Sequence, residues 1–186
     1  NTSNMCGRGG FGLVFKVHDK NDNNKVYALK ELVVTGNMTI GKHMKEVQIL
    51  RSLYHRNIIK YIASFNEQTV NGEDALYIVL EFADAGSLRK ILQTTAEIIN
   101  TKKLGIWLHH ISLGMAYLQQ SRMRLGIKQR FIHRDLKPDN ILICNGVAKI
   151  TDFGISKILE GGARSANITN TCGTTAYMAP EQRKRN

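Results

Sequence analysis

Apolar and polar positions change period several times along this chain, and each change marks an element. Leu13-Val14-Phe15-Lys16-Val17 is β-branched and aromatic, which predicts a strand. Asn21 to Asn24 reads as a turn, and Val26-Tyr27-Ala28-Leu29-Lys30 as the next strand. Its period of two puts Ala28 and Lys30 on one face. From about Thr39 to Leu53 the period is helical, with Met44, Val47, Leu50 and Leu53 on the apolar stripe. Glu46, four residues before Leu50, shares that inward stripe. Lys60 to Phe65 is a strand, Val70 to Glu73 a turn, and Leu76 to Leu80 a continuously apolar run that predicts a fully buried strand. Ala83 to Gly86 breaks it, and Ser87 is placed to cap a helix. Leu104, Leu108, Ile111, Met115 and Leu118 recur at four-three-four-three spacing, the core stripe of a long helix. Gly105 and Gly114 weaken that helix by ~1 kcal/mol each against alanine. Ser121 to Arg130 is basic and reads as a solvated loop. Ile141 to Cys144, Asn145-Gly146 and Val147 to Ile150 form a hairpin, since Asn-Gly between β-branched runs is the strongest short signal for a two-residue turn.

That hairpin carries chemistry. With Cys144 and Val147 flanking the turn, the register pairs Asn140 with Thr151, and Asp152 falls one step from Asn140. A carboxylate beside an amide oxygen is a hard-oxygen site suited to Mg²⁺ with phosphate. Asp135 stands five residues before Asn140, in the loop leading to the same end. Gly7-Arg8-Gly9-Gly10-Phe11-Gly12-Leu13-Val14 fits G-x-G-x-x-G-x-V, which alone fits a flexible loop or a dinucleotide fingerprint. Glu31 even lies about where a ribose-binding acid would fall. A dinucleotide fingerprint opens a helix, whereas these glycines run into a strand. They therefore cap a hairpin in which backbone N–H groups approach phosphate. Ala28 beside Lys30 suits an adenine roof next to a phosphate contact, the alternative being an edge-strand lysine. Glu46 on a buried edge needs a cation, and Lys30 is the candidate.

Composition narrows the class. The 186 residues, 42% apolar and 22% charged, suffice for one good core. No run approaches the ~20 apolar residues of a membrane span, and no signal peptide is expected. Cys6, Cys144 and Cys172 are odd in number and far apart, which fits neither a disulfide framework nor a zinc site. A reducing compartment, cytoplasmic or nuclear, is the expected home. The net charge of +11 raises nucleic acid as a partner, but only Arg183-Lys184-Arg185 is a tight cluster, which argues against it. A phosphate-handling cleft on a short chain explains the excess.

Ile132-His133-Arg134-Asp135-Leu136-Lys137-Pro138-Asp139-Asn140-Ile141-Leu142, followed by Asp152-Phe153-Gly154, resembles the protein-kinase catalytic loop and its metal-binding triplet. The glycine loop and Ala179-Pro180-Glu181 extend the resemblance over essentially the whole chain. It implies an α+β, two-lobed kinase fold with a small antiparallel N-lobe over 1–80, a hinge over 81–86 and a helical, incomplete C-lobe over 87–186, truncated after the activation segment. It implies ATP and Mg²⁺ as cofactors and a protein Ser or Thr hydroxyl as acceptor, the serine/threonine type being marked by Lys137 and Thr174. In that reading Asp135 accepts the hydroxyl proton, Lys137 steadies the γ-phosphate, and Asn140 with Asp152 holds the metal. Lys30 holds the α/β-phosphates and is held by Glu46. Gly7, Gly9, Gly10, Gly12, Val14, Ala28 and Leu142 surround the nucleotide, Leu80 is the gatekeeper, and Glu81 and Ala83 offer backbone groups to adenine. Tyr61 joins Leu50, His133 and Phe153 in a stacked column. Ile59-Lys60-Tyr61, Ala63-Ser64-Phe65, Ile78-Val79-Leu80-Glu81, Ala83-Asp84-Ala85-Gly86 and Trp107 look like the NIMA-related kinases. The usual activating phosphosite falls at Asn170, which cannot be phosphorylated. Ser165, Thr169 and Thr171 are the neighbours that would substitute, docking on Arg134, unless a partner activates instead. Two other classes stay open, a pseudokinase scaffold and a truncated non-catalytic binding fragment.

Overall fold

The computed structural model describes residues 4–9, 12–33, 40–94, 100–124, 130–153, 157–159, 175–178 and 180. The chain divides into two units, Asn1–Tyr54 with Ile59–Asp84, and His55–Ile58 with Ala85–Asn186.

Among the described residues, the first unit is a five-stranded antiparallel sheet with one helix. Strands β1 (Met5–Gly9), β2 (Gly12–His18), β3 (Val26–Val33), β4 (Tyr61–Gln68) and β5 (Asp74–Glu81) lie in the order β1-β2-β3-β5-β4. Helix α1 (Ile40–Ser52) packs on β5 and β4. Val47, Leu50 and Leu53 of the predicted stripe are buried, as is Ile49, which the stripe omitted. Leu32, Leu76, Ile78 and Leu80 are the buried apolar residues of β3 and β5 beside Ala75.

The predicted full burial of Leu76 to Leu80 is corrected. Leu76, Ile78 and Leu80 are buried, but Tyr77 and Val79 are only half so. The register explains why a tyrosine sits in that run. Glu31, Tyr77 and Phe65 form one cross-strand row over β3, β5 and β4. The Tyr77 hydroxyl donates to Glu31 Oε2 at 2.8 Å, and its ring stacks on Phe65 at 5.3 Å. Burial, then the Glu31 carboxylate, pushes the phenol up to about 12.

Among the described residues, the second unit holds α2 (Leu88–Thr94), α3 (Thr101–Arg124) and two small ladders. One pairs β6 (Arg130–Ile132) with a strand at Lys157–Leu159, and the other pairs β7 (Ile141–Cys144) with β8 (Val147–Ile150). Ser87 caps α2 as expected, its Oγ accepting from Lys90 N at 3.2 Å.

A two-stranded hairpin is marginal alone, and here both outer edges of β7–β8 are bonded. On the β7 side, Ile143 N donates to Gly86 O at 2.9 Å and Ala85 N to Ile143 O at 3.3 Å. On the β8 side, Ile150 N donates to Asn57 O at 2.9 Å, and Asn57 Nδ2 to Ala148 O at 3.1 Å. Trp107 Nε1 reaches Gly146 O at 3.0 Å, and Ala148 N donates to His110 Nδ1 at 3.3 Å.

These contacts turn α3 so that, of its predicted stripe, Leu118 is fully buried and the other four are not. Trp107, Gly114 and Leu118 form the buried line; Leu104, Ile111 and Met115 are half-buried, and Leu108 is 57% exposed. The helix also continues through Arg124, into the segment predicted as loop. Gly114 is where α3 meets the hairpin, since a Cβ there would sit 2.9 Å from both Asn57 O and Ile150 Cδ1. Gly105 faces open space. Gly105→Ala should therefore stabilise the fold by about 0.5–1 kcal/mol, whereas Gly114→Ala should cost about 1–3 kcal/mol through overpacking. Denaturant midpoints of the two variants test this; shifts of the same sign would show that helix propensity alone governs both positions.

Candidate active site

Among the described residues, three other than glycine have positive φ: Arg134 (71°), Asn145 (49°) and Asp152 (64°). Asn145 with Gly146 (76°) makes the left-handed two-residue turn read from the sequence, and Cys144 pairs with Val147 across it. The fourth pair of the ladder is Ile141 with Ile150, and Thr151 N donates to Asn140 O at 3.0 Å. Asp152 thus stands one residue past Asn140's partner, as the register predicts.

Arg134 and Asp152, the other two left-handed residues, flank the charged groups of this end. Such backbone costs of order 1 kcal/mol per residue and persists where its surroundings over-determine it. His133, 2% exposed, does much of that work. Its Nδ1 accepts from Asp135 N at 3.4 Å and its Nε2 lies 2.9 Å from Thr151 O, so the neutral ring carries its proton on Nε2. The ring also lies 5.2 Å from that of Phe153. One imidazole therefore ties the loop of Asp135 to the strand end that presents Asp152. Burial is the main influence on this histidine and lowers its pKa against the opposing hydrogen bond to Thr151.

Asp135 is 6% exposed. Lys137 Nζ lies 2.8 Å from its Oδ2. Asn140 Nδ2 donates to its backbone oxygen at 2.8 Å and to Oδ2 at 3.0 Å. A buried carboxylate needs such pairing. Both groups facing the Asn140 amide are acceptors, so the amide must present its nitrogen to them, leaving Oδ1 for another ligand. That oxygen and the Asp152 carboxylate are hard donors that suit a divalent cation shared with phosphate. Among the described residues no cluster of three His, Cys, Asp or Glu side chains forms a self-sufficient metal site.

In the first unit, Val14, Lys30 and Ile78 form one cross-strand row, and Lys16, Ala28 and Leu80 the next on the same face. Lys30 is 9% exposed. Gly9 pairs with Gly12 at the hairpin end, so the glycines do cap a hairpin. Gly12 (φ 146°) is demanded by packing, because a Cβ would fall 1.8 Å from Glu31 O, whereas Gly7 has open space. Glu81 Oε1 accepts from Lys60 N at 2.7 Å, while Glu81 N donates to Lys60 O at 3.0 Å. Ala83 and Leu142 are half-buried.

A sequence model of the protein kinase domain matches residues 1–186. The chain belongs to the protein kinase domain family. It is 34% identical over 182 residues to the serine/threonine-protein kinase pakG of Dictyostelium discoideum, covering 97% of this chain and 14% of that protein. It is 31% identical over 192 residues to the leucine-rich repeat receptor-like serine/threonine/tyrosine-protein kinase SOBIR1 of Arabidopsis thaliana, covering 95% and 29%. It is 32% identical over 191 residues to the serine/threonine-protein kinase Nek11 of Mus musculus, covering 96% and 27%. The chain thus spans less than a third of the length of these curated relatives. The two units have the α+β make-up of a two-lobed kinase fold.

Within this kinase domain, Asp135, Lys137 and Asn140 are in direct contact, and the hairpin places Asp152 at the same end. Gly10, the Glu46 side chain expected to pair with Lys30, and Ser165, Thr169, Asn170 and Thr171 lie outside the described residues. Of the expected column, His133 and Phe153 meet in the second unit. Leu50 and Tyr61 belong to the first, where the Tyr61 hydroxyl is 2.9 Å from that of Ser64. Sequence reasoning missed Asn57, His110 and Arg89. Asn57, 0% exposed beside two isoleucines, was the readable signal: a polar side chain in an apolar run is either functional or holding backbone.

His133 has a pH consequence. Its folded pKa is below the ordinary value of about 6.5, so below that pH the unfolded chain binds more protons and stability falls; above it the contribution is fully present. His133→Phe should be less stable at pH 7.5 by about 1–3 kcal/mol, from Asp135 N–H and Thr151 C=O left unpaired. That deficit should narrow toward pH 5.5, as read by denaturation at each pH. A deficit that stays constant would mean that His133 does not titrate across folding.

Proposed function

We propose that this kinase domain transfers the γ-phosphoryl group of ATP to a Ser or Thr hydroxyl of a protein substrate. The observation that carries the reading is the buried Asp135 carboxylate, clamped by Lys137 and Asn140 at the hairpin end that also presents Asp152. A base that must take a hydroxyl proton has to be positioned before it is basic, and three contacts fix this one. Lys137, 2.8 Å from the base, would steady the transferred phosphoryl group's charge. Asn140 Oδ1 and the Asp152 carboxylate would hold Mg²⁺, which when bound neutralises phosphate charge. Lys30 would contact the α/β-phosphates with Glu46 as its partner. The glycine loop, Val14, Ala28, Leu142 and the backbone of Glu81 and Ala83 would hold the rest of ATP.

The same reading divides the chain into an N-lobe over 1–80, a hinge over 81–86 and a C-lobe from 87 onward. The subfamily we favour is the NIMA-related kinases, supported by the likeness to Nek11 and by the residues from Ile59 to Gly86 and Trp107 noted above. The cytoplasm or nucleus is its proposed location. Activation is proposed to come from an upstream kinase or a partner. Arg134 supports the first route: its Nη2 is buried without a hydrogen-bond partner among the described residues, and a guanidinium fork suits a phosphate dianion.

Two experiments on the intact protein test this. Asp135→Asn should lower kcat about 10²–10⁴-fold and leave Mg-ATP affinity nearly unchanged, while Asp152→Asn should weaken Mg-ATP binding. Equal losses of nucleotide affinity with turnover retained in both would overturn the role assignment. Thr169→Ala combined with Thr171→Ala should lose most activity if a phosphate docks on Arg134. Full activity in that double variant, with no phosphate found between Ile155 and Gly173, would leave activation to a partner.

A further inference from the structure

We infer that Arg89 is a positioning residue that latches the Thr175–Tyr177 turn to the catalytic loop and thereby sets how the protein substrate, rather than ATP, is held. The inference rests on the kinase reading above. Arg89 is the second residue of α2, next to the buried Leu88 that seats the helix. Its Nε lies 3.4 Å from Asp139 Oδ2. Its Nη2 donates to the Tyr177 hydroxyl, and its guanidinium carbon lies 5.6 Å from the centroid of the Tyr177 ring. One side chain therefore joins three segments far apart in sequence: 88–94, 138–140 and 175–177.

The geometry needs arginine. The planar guanidinium gives a carboxylate one edge and a phenol oxygen another N–H from one rigid group. A lysine ammonium is a single point on a flexible stem. The Arg89–Asp139 pair alone is partly exposed, 33% and 46%, and such a pair by itself contributes little. What distinguishes this one is its neighbours. Asp139 stands between Pro138, whose ring fixes φ, and Asn140, whose amide grips Asp135. On the other side Met178 is 5% exposed and anchors the end of the turn, while Tyr177 is 44% exposed. Among the described residues, Arg89 is the only hydrogen-bond and ring partner of Tyr177.

The functional direction follows from what the three segments carry. None of the residues assigned to ATP lies in Thr175–Tyr177. The turn is tied instead, through Asp139, to the loop that holds the base. A peptide presenting its hydroxyl to Asp135 must lie along exposed backbone beside that loop, and the latched turn is such backbone. Freed, the turn samples more positions, and the substrate bears the cost of ordering it.

The test uses the intact protein with Arg89→Met, Arg89→Lys and Tyr177→Phe, read by hydrogen exchange and by steady-state kinetics. In Arg89→Met, exchange over 175–178 should rise about tenfold, with the β7–β8 hairpin unchanged. Arg89→Lys should restore only part of the protection. The KM for protein substrate should rise about tenfold, with kcat and the KM for ATP within about twofold of wild type. Tyr177→Phe, which keeps the ring and loses the hydroxyl, should fall between wild type and Arg89→Met. Unchanged exchange at 175–178 in Arg89→Met overturns the latch. A rise over the hairpin as well makes Arg89 a residue of general stability and overturns it too. A parallel rise in the KM for ATP overturns the assignment to substrate. If the wild-type protein transfers no phosphoryl group, the kinase reading fails, and exchange at 175–178 alone decides the latch.

Discussion

The double engagement of Asn140 is the contact on which the rest of the second unit depends. Its backbone oxygen accepts from Thr151 and extends the β7–β8 ladder by one step. Its side chain bonds the backbone and carboxylate of Asp135. A sheet register and a charged side chain are thereby made one structure, so that a slip of the hairpin by one residue would turn Asn140 away from Asp135. The Asn145-Gly146 turn forbids that slip locally, and the bonded edges from 85–87, Asn57, Trp107 and His110 forbid it from outside.

The charged groups of this end sit in one network. Asp135 is buried and held by Lys137, Asn140 and His133, and one His133 ring serves both the loop and the strand end. Buried polar networks of this kind are worth more than their pairs when complete and costly when one member is lost. The left-handed backbone at Arg134 and Asp152 is the strain this network sustains. In the first unit the same logic runs through the backbone: Gly12 lies so near Glu31 O that only glycine fits, and Glu31 in turn holds Tyr77.

Local signals made much of this legible. The Asn-Gly turn fixes the register, and the register alone predicts Asp152 beside Asn140. The switch from glycines to β-branched residues predicts a hairpin at Gly9 and Gly12 in place of a helix. What was not legible came from distant partners. The apolar spacing of α3 points to Leu108, yet the buried line is Trp107, Gly114 and Leu118, because a strand and the Asn57 segment approach that side. Gly114 reads as a weak point from propensity and acts as a contact. Tyr77 counts as apolar in a run, but its hydroxyl needs Glu31, two strands' worth of sequence away. Arg89 has no local motif at all; only the fold brings Asp139 and Tyr177 to it.

The bond from Asn57 to Ala148 spans 91 residues of chain. On a ribosome adding about 5–20 residues per second, the Asn57 segment is made roughly 5–20 s before the strand it binds exists. Through that interval the Asn57 amide faces water, Ile58 has no strand to lie against, and α3 emerges with Gly114 opposite nothing. The loop of Asp135 follows soon after α3, but its outer support closes only when Ala148 and Ile150 emerge. Nascent chains shorter than this hold Asp135, Lys137 and Asn140 without the frame that orients them.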